Sequence, residues 1–367
     1  MKNTKPLRIA VALSGGVDSS TAAALLVRQG HQVIGVMMRL WATKHWGEMP
    51  ENRCCSPSAV ADAQRVCSLL GIPFYLLDLE EEFKAEVVDY FCDNYALGRT
   101  PNPCLACNRQ IKFKALLHRI IGLLSAEYLA TGHYARIRLY DGQYQLLKGV
   151  DKEKDQSYVL YMLGQAELAR VLFPLGDYTK KQVRAMAAQY KLPTADRAES
   201  QDACFVSDGD YRTFVAEQRP QTMRPGPILD LQGRVLGEHR GIAFYTIGQR
   251  QGLGIAAAHP LYVVEIDSVR NALIVGPKRA LFRRELLAEQ VHFVAEKPPP
   301  EPIPITAKIR YKAEEASALL IPMPAQQARV VFDQPQPAIT PGQGVVFYQD
   351  EIVLGGGMIA SAGPLEV

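Results

Sequence analysis

Three cysteines sit where chemistry could use them. Cys104 and Cys107 are three apart in "TPNPCLACN", residues 100–108, and Cys204 lies in "AESQDACFV", residues 198–206. A C-x-x-C pair can be half of a metal site, a disulfide or a reactive dithiol, and each option needs a partner elsewhere. A structural core cysteine usually lies in an apolar run, whereas Glu199, Gln201 and Asp202 lead into Cys204. Zinc wants four ligands, and one pair plus a lone cysteine leaves His133 as the candidate fourth. Cys54 and Cys55, in "ENRCCSP", are adjacent; such neighbours rarely bridge each other because the geometry is strained, so they read as bystanders.

A second stretch, "ALSGGVDSS" at 12–20, follows an apolar run and opens an Ala/Leu-rich one. Gly15 and Gly16 let the backbone turn tightly and approach a ligand, and Ser14, Ser19 and Ser20 add hydroxyls. Open N–H groups at a helix start, with the helix dipole, make an anion site. The loop lacks the lysine of G-x-x-x-x-G-K-[ST] and the spacing of G-x-G-x-x-G. Asp18 beside phosphates would be repelled unless a cation intervenes, which suggests Mg²⁺.

The elements that position these residues alternate. Strand patterns at 8–13, 32–38, 73–79 and 127–131 are separated by helix patterns at 19–30, 58–71, 80–97 and 111–124. Another helix, 179–190, opens with the capping-box pair Thr179 and Gln182. Such alternation predicts a parallel sheet covered on both faces. After about residue 206 the texture changes to hairpins at 226–237 and 261–276, a Pro-rich stretch at 296–304, and short strands to the end. The expected fold class is therefore α/β: a parallel-sheet domain over 1–206, a β-rich central domain over 207–280 and a β-barrel-like domain over 281–367.

At 367 residues the chain is long for one core. An odd count of seven cysteines does not look like a secreted disulfide framework. The apolar run near the start reads as a buried strand rather than a signal peptide. No stretch reaches the roughly 20 apolar residues that span a bilayer. The expectation is a cytoplasmic protein with reduced thiols and no membrane partner. A net charge of +3 admits nucleic acid without arguing for it.

The loop at 14–19 resembles the S-G-G-x-D-S loop of PP-loop ATP pyrophosphatases, which split ATP between its α and β phosphates. Further motifs follow in order: G-R-T-P-N-P-x-x-x-C-N-x-x-I-K-F at 98–113, T-G-H-Y at 131–134, D-Q-S-Y at 155–158 and E-S-Q-D-x-C-F at 199–205. With "TIGQRQGLGI" at 246–255 and "IRY" at 309–311, the chain resembles the tRNA-specific 2-thiouridylase (MnmA/TrmU) family over nearly its whole length. The resemblance implies an adenine nucleotide alpha-hydrolase-like first domain. It also implies ATP-dependent replacement of the C2 oxygen of the anticodon wobble uridine by sulfur.

By that resemblance, Cys204 carries a persulfide and Cys107 is the nucleophile or resolving thiol. Ala12, Leu13, Ser14, Gly15, Gly16, Val17, Asp18 and Ser19 hold ATP with Mg²⁺, and Met38 and Gly132 contact the adenosine. Asn102, Pro103 and Cys104 face the target base; His133, Lys154, Asp155, Gln156, Arg310, Tyr311 and Gln343 meet tRNA. A persulfide donor or relay protein is the implied second partner. Many members have Asp where this chain has Cys104, which opens two routes. In one, sulfur transfer leaves a Cys107–Cys204 disulfide; in the other, Cys104, Cys107 and Cys204 ligate a [4Fe–4S] cluster whose fourth iron binds the sulfur. Two rivals remain: an adenylating ligase or amidotransferase with a small substrate, and an RNA-binding protein that uses ATP as a switch.

Overall fold

The computed structural model describes residues 5–41, 56–197, 204–206 and 210–364. Cys54, Cys55, Glu199, Gln201 and Asp202 lie outside them. The chain forms two compact units, Met1–Val87 with Cys104–Ser207 and Glu351–Val353, and Val88–Pro103 with Asp208–Asp350 and Leu354–Val367.

The first unit is built on strands β1 (Arg8–Leu13), β2 (Gln32–Arg39), β3 (Phe74–Asp78) and β4 (Tyr128–Ala130), followed by β5 (Ala135–Tyr140), β6 (Gln143–Lys148) and β7 (Val171–Leu172). A parallel sheet runs in the order β3-β2-β1-β4-β7. Residues 9–13 of β1 are all buried, as a strand covered on both faces requires. The helix Val17–Arg28 and the helix Pro57–Leu70 supply much of the cover, packing Ala23, Leu26, Ala59 and Ala63 against Ile9, Val11 and Met37. The second helix has three local signals. The Ser56 hydroxyl accepts from the Ala59 N–H, Pro57 opens the first turn, and Gly71 closes the helix at φ 66°. The chain leaves β1 toward β2 and β3, then returns on its other side as β4. The strand order therefore reverses between β1 and β4, where open α/β sheets bind ligands at the carboxyl ends.

A helical run covers 80–96, and another covers 103–124, earlier than the expected start at 111. Each includes a wide π-type segment, Lys84–Asp89 and Cys107–Leu116. The helix Lys180–Gln189 has the expected capping box, with Thr179 and Gln182 exchanging bonds. The antiparallel hairpin β5–β6 was not anticipated inside the α/β region. Its turn is Asp141-Gly142, both at positive φ, the backbone of a type I′ hairpin.

In the second unit, β8 (Gly226–Leu229), β9 (Val235–His239), β10 (Tyr262–Asp267) and β11 (Ala272–Gly276) form a sheet ordered β10-β11-β8-β9. Both expected hairpins are present, and their turns contain Gly233 and Asn271 at positive φ. Strands β12 (Phe282–Phe293), β13 (Ile303–Lys308), β14 (Ala316–Met323), β15 (Gln327–Pro337), β16 (Gly344–Gln349) and β17 (Ile352–Ala362) follow. Their order β12-β15-β14-β13-β16-β17, with β12 pairing back to β17, closes a six-stranded barrel. Leu286, Leu320, Val330, Phe332 and Phe347 fill it. Sequence patterns missed β12 and β14. β12, "FRRELLAEQVHF", is rich in helix-favouring Leu, Ala, Glu and Gln, and pairing on both sides overrides that preference. No helix among the described residues is long and apolar enough to cross a membrane.

Candidate active site

β1 ends at Leu13, and Ser14–Gly16 turn directly into the helix Val17–Arg28. No side chain caps that helix, so its first-turn N–H groups stay open to an anion. The serine hydroxyls hold the turn: Ser19 Oγ accepts from the Ser14 N–H at 3.1 Å, and Ser20 Oγ donates to the Gly16 carbonyl at 2.8 Å. Gly15 sits at φ 71°, where a Cβ would lie 2.7 Å from the Ala59 carbonyl oxygen. The loop after β4 crosses just as closely, since a Cβ on Gly132 would lie 2.8 Å from the Ser19 nitrogen and 2.9 Å from the Asp18 carbonyl carbon. The result is a backbone cradle at the switch point, of a shape and polarity that suit a pyrophosphate. Met38 is buried at the end of neighbouring β2.

Asp18 is already matched with a cation. The Lys180 ammonium donates to both carboxylate oxygens at 2.7 Å, and the Tyr134 hydroxyl donates to Oδ1 at 2.8 Å. Lys180 is buried, lies 5.8 Å from the Tyr134 ring centroid, and donates its backbone N–H to Asp151. Arg197 donates to the Gly15 carbonyl and pairs with Asp62. Lys180, Tyr134 and Arg197 were not assigned roles from the sequence. Tyr134 was within reach as part of T-G-H-Y, and Lys180 as the first residue after the Thr179 cap. The loop carboxylate is thus balanced by Lys180 within the protein itself.

Among the described residues, Cys67, Cys92, Cys104, Cys107 and Cys204 are thiols, so the Cys107–Cys204 bridge is not formed. Burial pushes the Cys67 thiol up to about 11, which leaves it inert. Cys104 is exposed, and Cys107 and Cys204 are half-buried. Cys107 starts the π-type segment, whose Phe113 ring meets His133 at 5.9 Å. Next to it, Asn108 is buried, and its Oδ1 accepts no hydrogen bond from the protein. Phe205, beside Cys204, packs edge-on against Phe83 at 5.8 Å, and Arg119, downstream of Cys107, pairs with Glu82. The cluster ligand set is not assembled: no group of three or more His, Cys, Asp or Glu among the described residues is arranged to hold a metal. The same finding leaves the C-x-x-C without a zinc site completed by His133.

Several residues expected to meet tRNA have bonds within the protein. His133 is 8% exposed, shares a 2.8 Å hydrogen bond with Thr131, and packs between Phe113 and Phe173. Burial, helped by the nearby Lys112 charge, holds its pKa well below the ordinary histidine value, so the ring is neutral. Asp155 accepts from the Gly149 and Ser157 N–H groups, and Gln156 accepts from the Tyr134 N–H. Lys154 beside them is half-buried. In the second unit, Arg310 donates to the Ala338 carbonyl and Thr340 hydroxyl, both at 2.7 Å, with Tyr311 half-buried next to it. Gln343 donates to the Thr100 carbonyl at 2.7 Å, two residues before Asn102. Asn102 and Pro103 close the stretch Val88–Pro103, which groups with the second unit.

Comparison with known proteins gives consistent matches along the chain. Residues 7–208 match the family profile "tRNA methyl transferase HUP domain", 212–277 a "tRNA methyl transferase PRC-barrel domain", and 283–359 an "Aminomethyltransferase beta-barrel domain". The chain is 51% identical over 369 residues to the tRNA-specific 2-thiouridylase MnmA of Roseiflexus castenholzii, covering 96% of this chain and 99% of that one. It is 53% identical over 354 residues to the protein of the same name from Moorella thermoacetica, again covering 96% and 99%. Among solved structures, NMN synthetase from Francisella tularensis covers 53% of this chain and 67% of its own at 16% identity and a TM-score of 0.33, too loose a superposition to argue from.

Proposed function

The chain belongs to the tRNA-specific 2-thiouridylase family, and from that premise we propose how its residues divide the work of making 2-thiouridine from the wobble uridine of tRNA. The observation that carries the reading is the uncapped S-G-G-x-D-S turn at the reversal of the parallel sheet, in one unit with Cys107 and Cys204. The C2 carbonyl of uridine is a poor electrophile, and oxide is a poor leaving group. ATP solves both problems: the C2 oxygen attacks the α-phosphorus, pyrophosphate leaves, and the base becomes an adenylate whose oxygen departs as AMP.

The chain's own residues then have separable tasks. The open N–H groups at Val17–Ser19 bind the pyrophosphate portion, and Lys180 offsets charge beside it. Gly132 lets the T-G-H-Y loop close against the same turn, next to the adenosine. Cys204 carries the transferable sulfur as a persulfide delivered by a donor protein in the cytoplasm. Its terminal sulfur attacks C2 and AMP leaves. The Cys107 thiolate then attacks the Cys204 sulfur, the S–S bond to the transferred atom breaks, and the products are 2-thiouridine and a Cys107–Cys204 disulfide. A thiol reductant resets the pair. Asn102, Pro103 and Cys104 face the base, and Lys154 and Tyr311 lie toward the RNA, while Asp155, Gln156 and Arg310 hold the backbone around them.

The profile's wording, methyl transfer, does not suit these residues, since moving a methyl group needs neither a phosphate turn nor two cysteines. The test is reconstitution with purified protein, unmodified tRNA, ATP and a persulfide donor, with nucleosides and AMP quantified by mass spectrometry. Cys204→Ser is expected to abolish 2-thiouridine while ATP binding persists. Thiolation by Cys204→Ser at the normal rate would sink the assignment, and AMP formation without tRNA would favour a small-substrate ligase.

A further inference from the structure

The stretch that bears the base-facing motif is anchored on the second unit at every residue from Gly98 to Thr100. Gly98, at φ 69°, packs so closely that a Cβ would lie 2.5 Å from Ile266 Cγ2. Arg99 lies 3.6 Å from the Glu289 carboxylate. The Thr100 N–H donates to the Pro341 carbonyl at 2.9 Å, its carbonyl accepts from Gln343 Nε2 at 2.7 Å, and its hydroxyl donates to Thr246 at 3.4 Å. Gly342 lies between the acceptor Pro341 and the donor Gln343, and its own Cβ would come within 3.0 Å of Arg99 Cβ and the Thr100 nitrogen. Upstream, Arg219 pairs with both Asp89 and Asp93, and Tyr95 stacks on Tyr211 at 4.5 Å. A cavity of about 350 Å³ borders Leu97–Arg99, lined also by Ile339, Pro341 and Arg283. Close packing at Gly98 and Gly342 and the polar bonds at Thr100 together fix the position of the segment.

We propose that Gln343 is a positioning residue: with Pro341 and Thr246 it holds Thr100 so that Asn102 and Pro103, two and three residues on, present to the target base. This rests on the thiouridylase reading and differs from the family-based expectation that Gln343 meets tRNA directly. The barrel then has a task beyond gripping RNA. It sets the geometry of a loop 243 residues away in sequence, and the chain continues from that loop straight into Cys104 and Cys107.

The experiment uses the full chain carrying Gln343→Met, which keeps length and removes the donor, beside the wild type. One amide hydrogen bond predicts a roughly three- to ten-fold fall in single-turnover thiolation at saturating tRNA. The tRNA Kd should stay within about two-fold, because no RNA contact is removed. Hydrogen exchange in the absence of tRNA should show the Thr100 amide exchanging faster, with residues of the parallel sheet unchanged. A raised tRNA Kd with an unchanged saturated rate would make Gln343 an RNA contact and overturn the proposal. So would an unaltered Thr100 exchange rate, or no change in any measurement. If the wild type itself fails to thiolate tRNA, the functional reading fails, while the exchange measurement still decides the anchor.

Discussion

The parallel sheet and the barrel both carry residues marked by the family's motifs, but they use them differently. At the sheet's carboxyl edge the marked positions are mostly backbone. Gly15 and Gly132 leave room, Ser14 and Ser19 bond each other, and the first-turn N–H groups stay open. In the barrel unit the marked positions are long polar side chains bonded inward, Arg310 to Ala338 and Thr340, and Gln343 to Thr100. Function that rests on backbone shape should fail with any added Cβ. Function that rests on a side-chain tie should weaken in proportion to the bonds removed.

The largest expected effect tests the backbone half of that contrast. Gly15→Val must place a branched side chain at φ 71° and at 2.7 Å from the Ala59 carbonyl oxygen. AMP formation should drop by about a hundred-fold or more, the scale of losing a preorganised anion site. Gly15→Val enzyme that releases AMP normally would break the comparison at its stronger end.

Next in size is the Asp18–Lys180 pair. Lys180→Met leaves a partly buried carboxylate without its ammonium, which for a fully buried pair costs about 3–5 kcal/mol. The Asp18 side chain is 32% exposed, so a smaller loss of about 1–3 kcal/mol is expected after screening. Lys180→Met with Asp18→Asn should recover most of that stability but not AMP formation. Equal activity in the double variant and the wild type would reduce the pair to scaffolding.

Arg310→Ala should behave as a graded change. Removing two hydrogen bonds that hold the Ala338–Thr340 segment should lower stability by about 1–3 kcal/mol and weaken tRNA binding only modestly. A steep loss of tRNA affinity at unchanged stability, with a flatter salt dependence, would show that Arg310 faces RNA despite its inward bonds.

What could be read from the sequence follows the same division. The strand–turn–helix of residues 8–28 was legible because its signals are local: a continuous apolar run, two glycines and an Ala-rich helix. Ser56, Pro57 and Gly71 similarly fixed a helix by short-range chemistry. The β5–β6 hairpin was missed although Asp141-Gly142 is a strong local turn signal, because helix–strand alternation dominated the reading around it. β12 could not be read locally at all, since its composition favours a helix and only pairing with β15 and β17 makes it a strand. The Lys180–Asp18 and Gln343–Thr100 contacts join residues 162 and 243 apart, and no spacing rule reaches across those intervals.

The smallest expected effect concerns pH and returns to the sheet. His133 is neutral in the folded protein because burial, and secondarily Lys112, disfavour its charged form. In the unfolded chain a histidine titrates at about 6.5. Above that pH neither state binds the proton and His133 contributes no pH dependence. As pH falls below about 6.5 the unfolded state gains a proton that the folded state refuses, so stability falls, by up to about 1.4 kcal/mol per pH unit, until the depressed folded value is reached. His239 shifts in the same direction, mainly by burial, and adds to the slope. His133→Gln keeps polarity but cannot titrate, and should therefore be less stable at pH 7.5 and less sensitive to acid. Denaturant unfolding at pH 7.5 and 5.5 measures both, with an expected difference in acid loss of about 1 kcal/mol between wild type and variant. Parallel losses would mean that the His133 ring reaches solvent and accepts its proton in the folded state. The T-G-H-Y loop would then be as open to RNA as its motif suggested, rather than closed against Phe113 and Phe173.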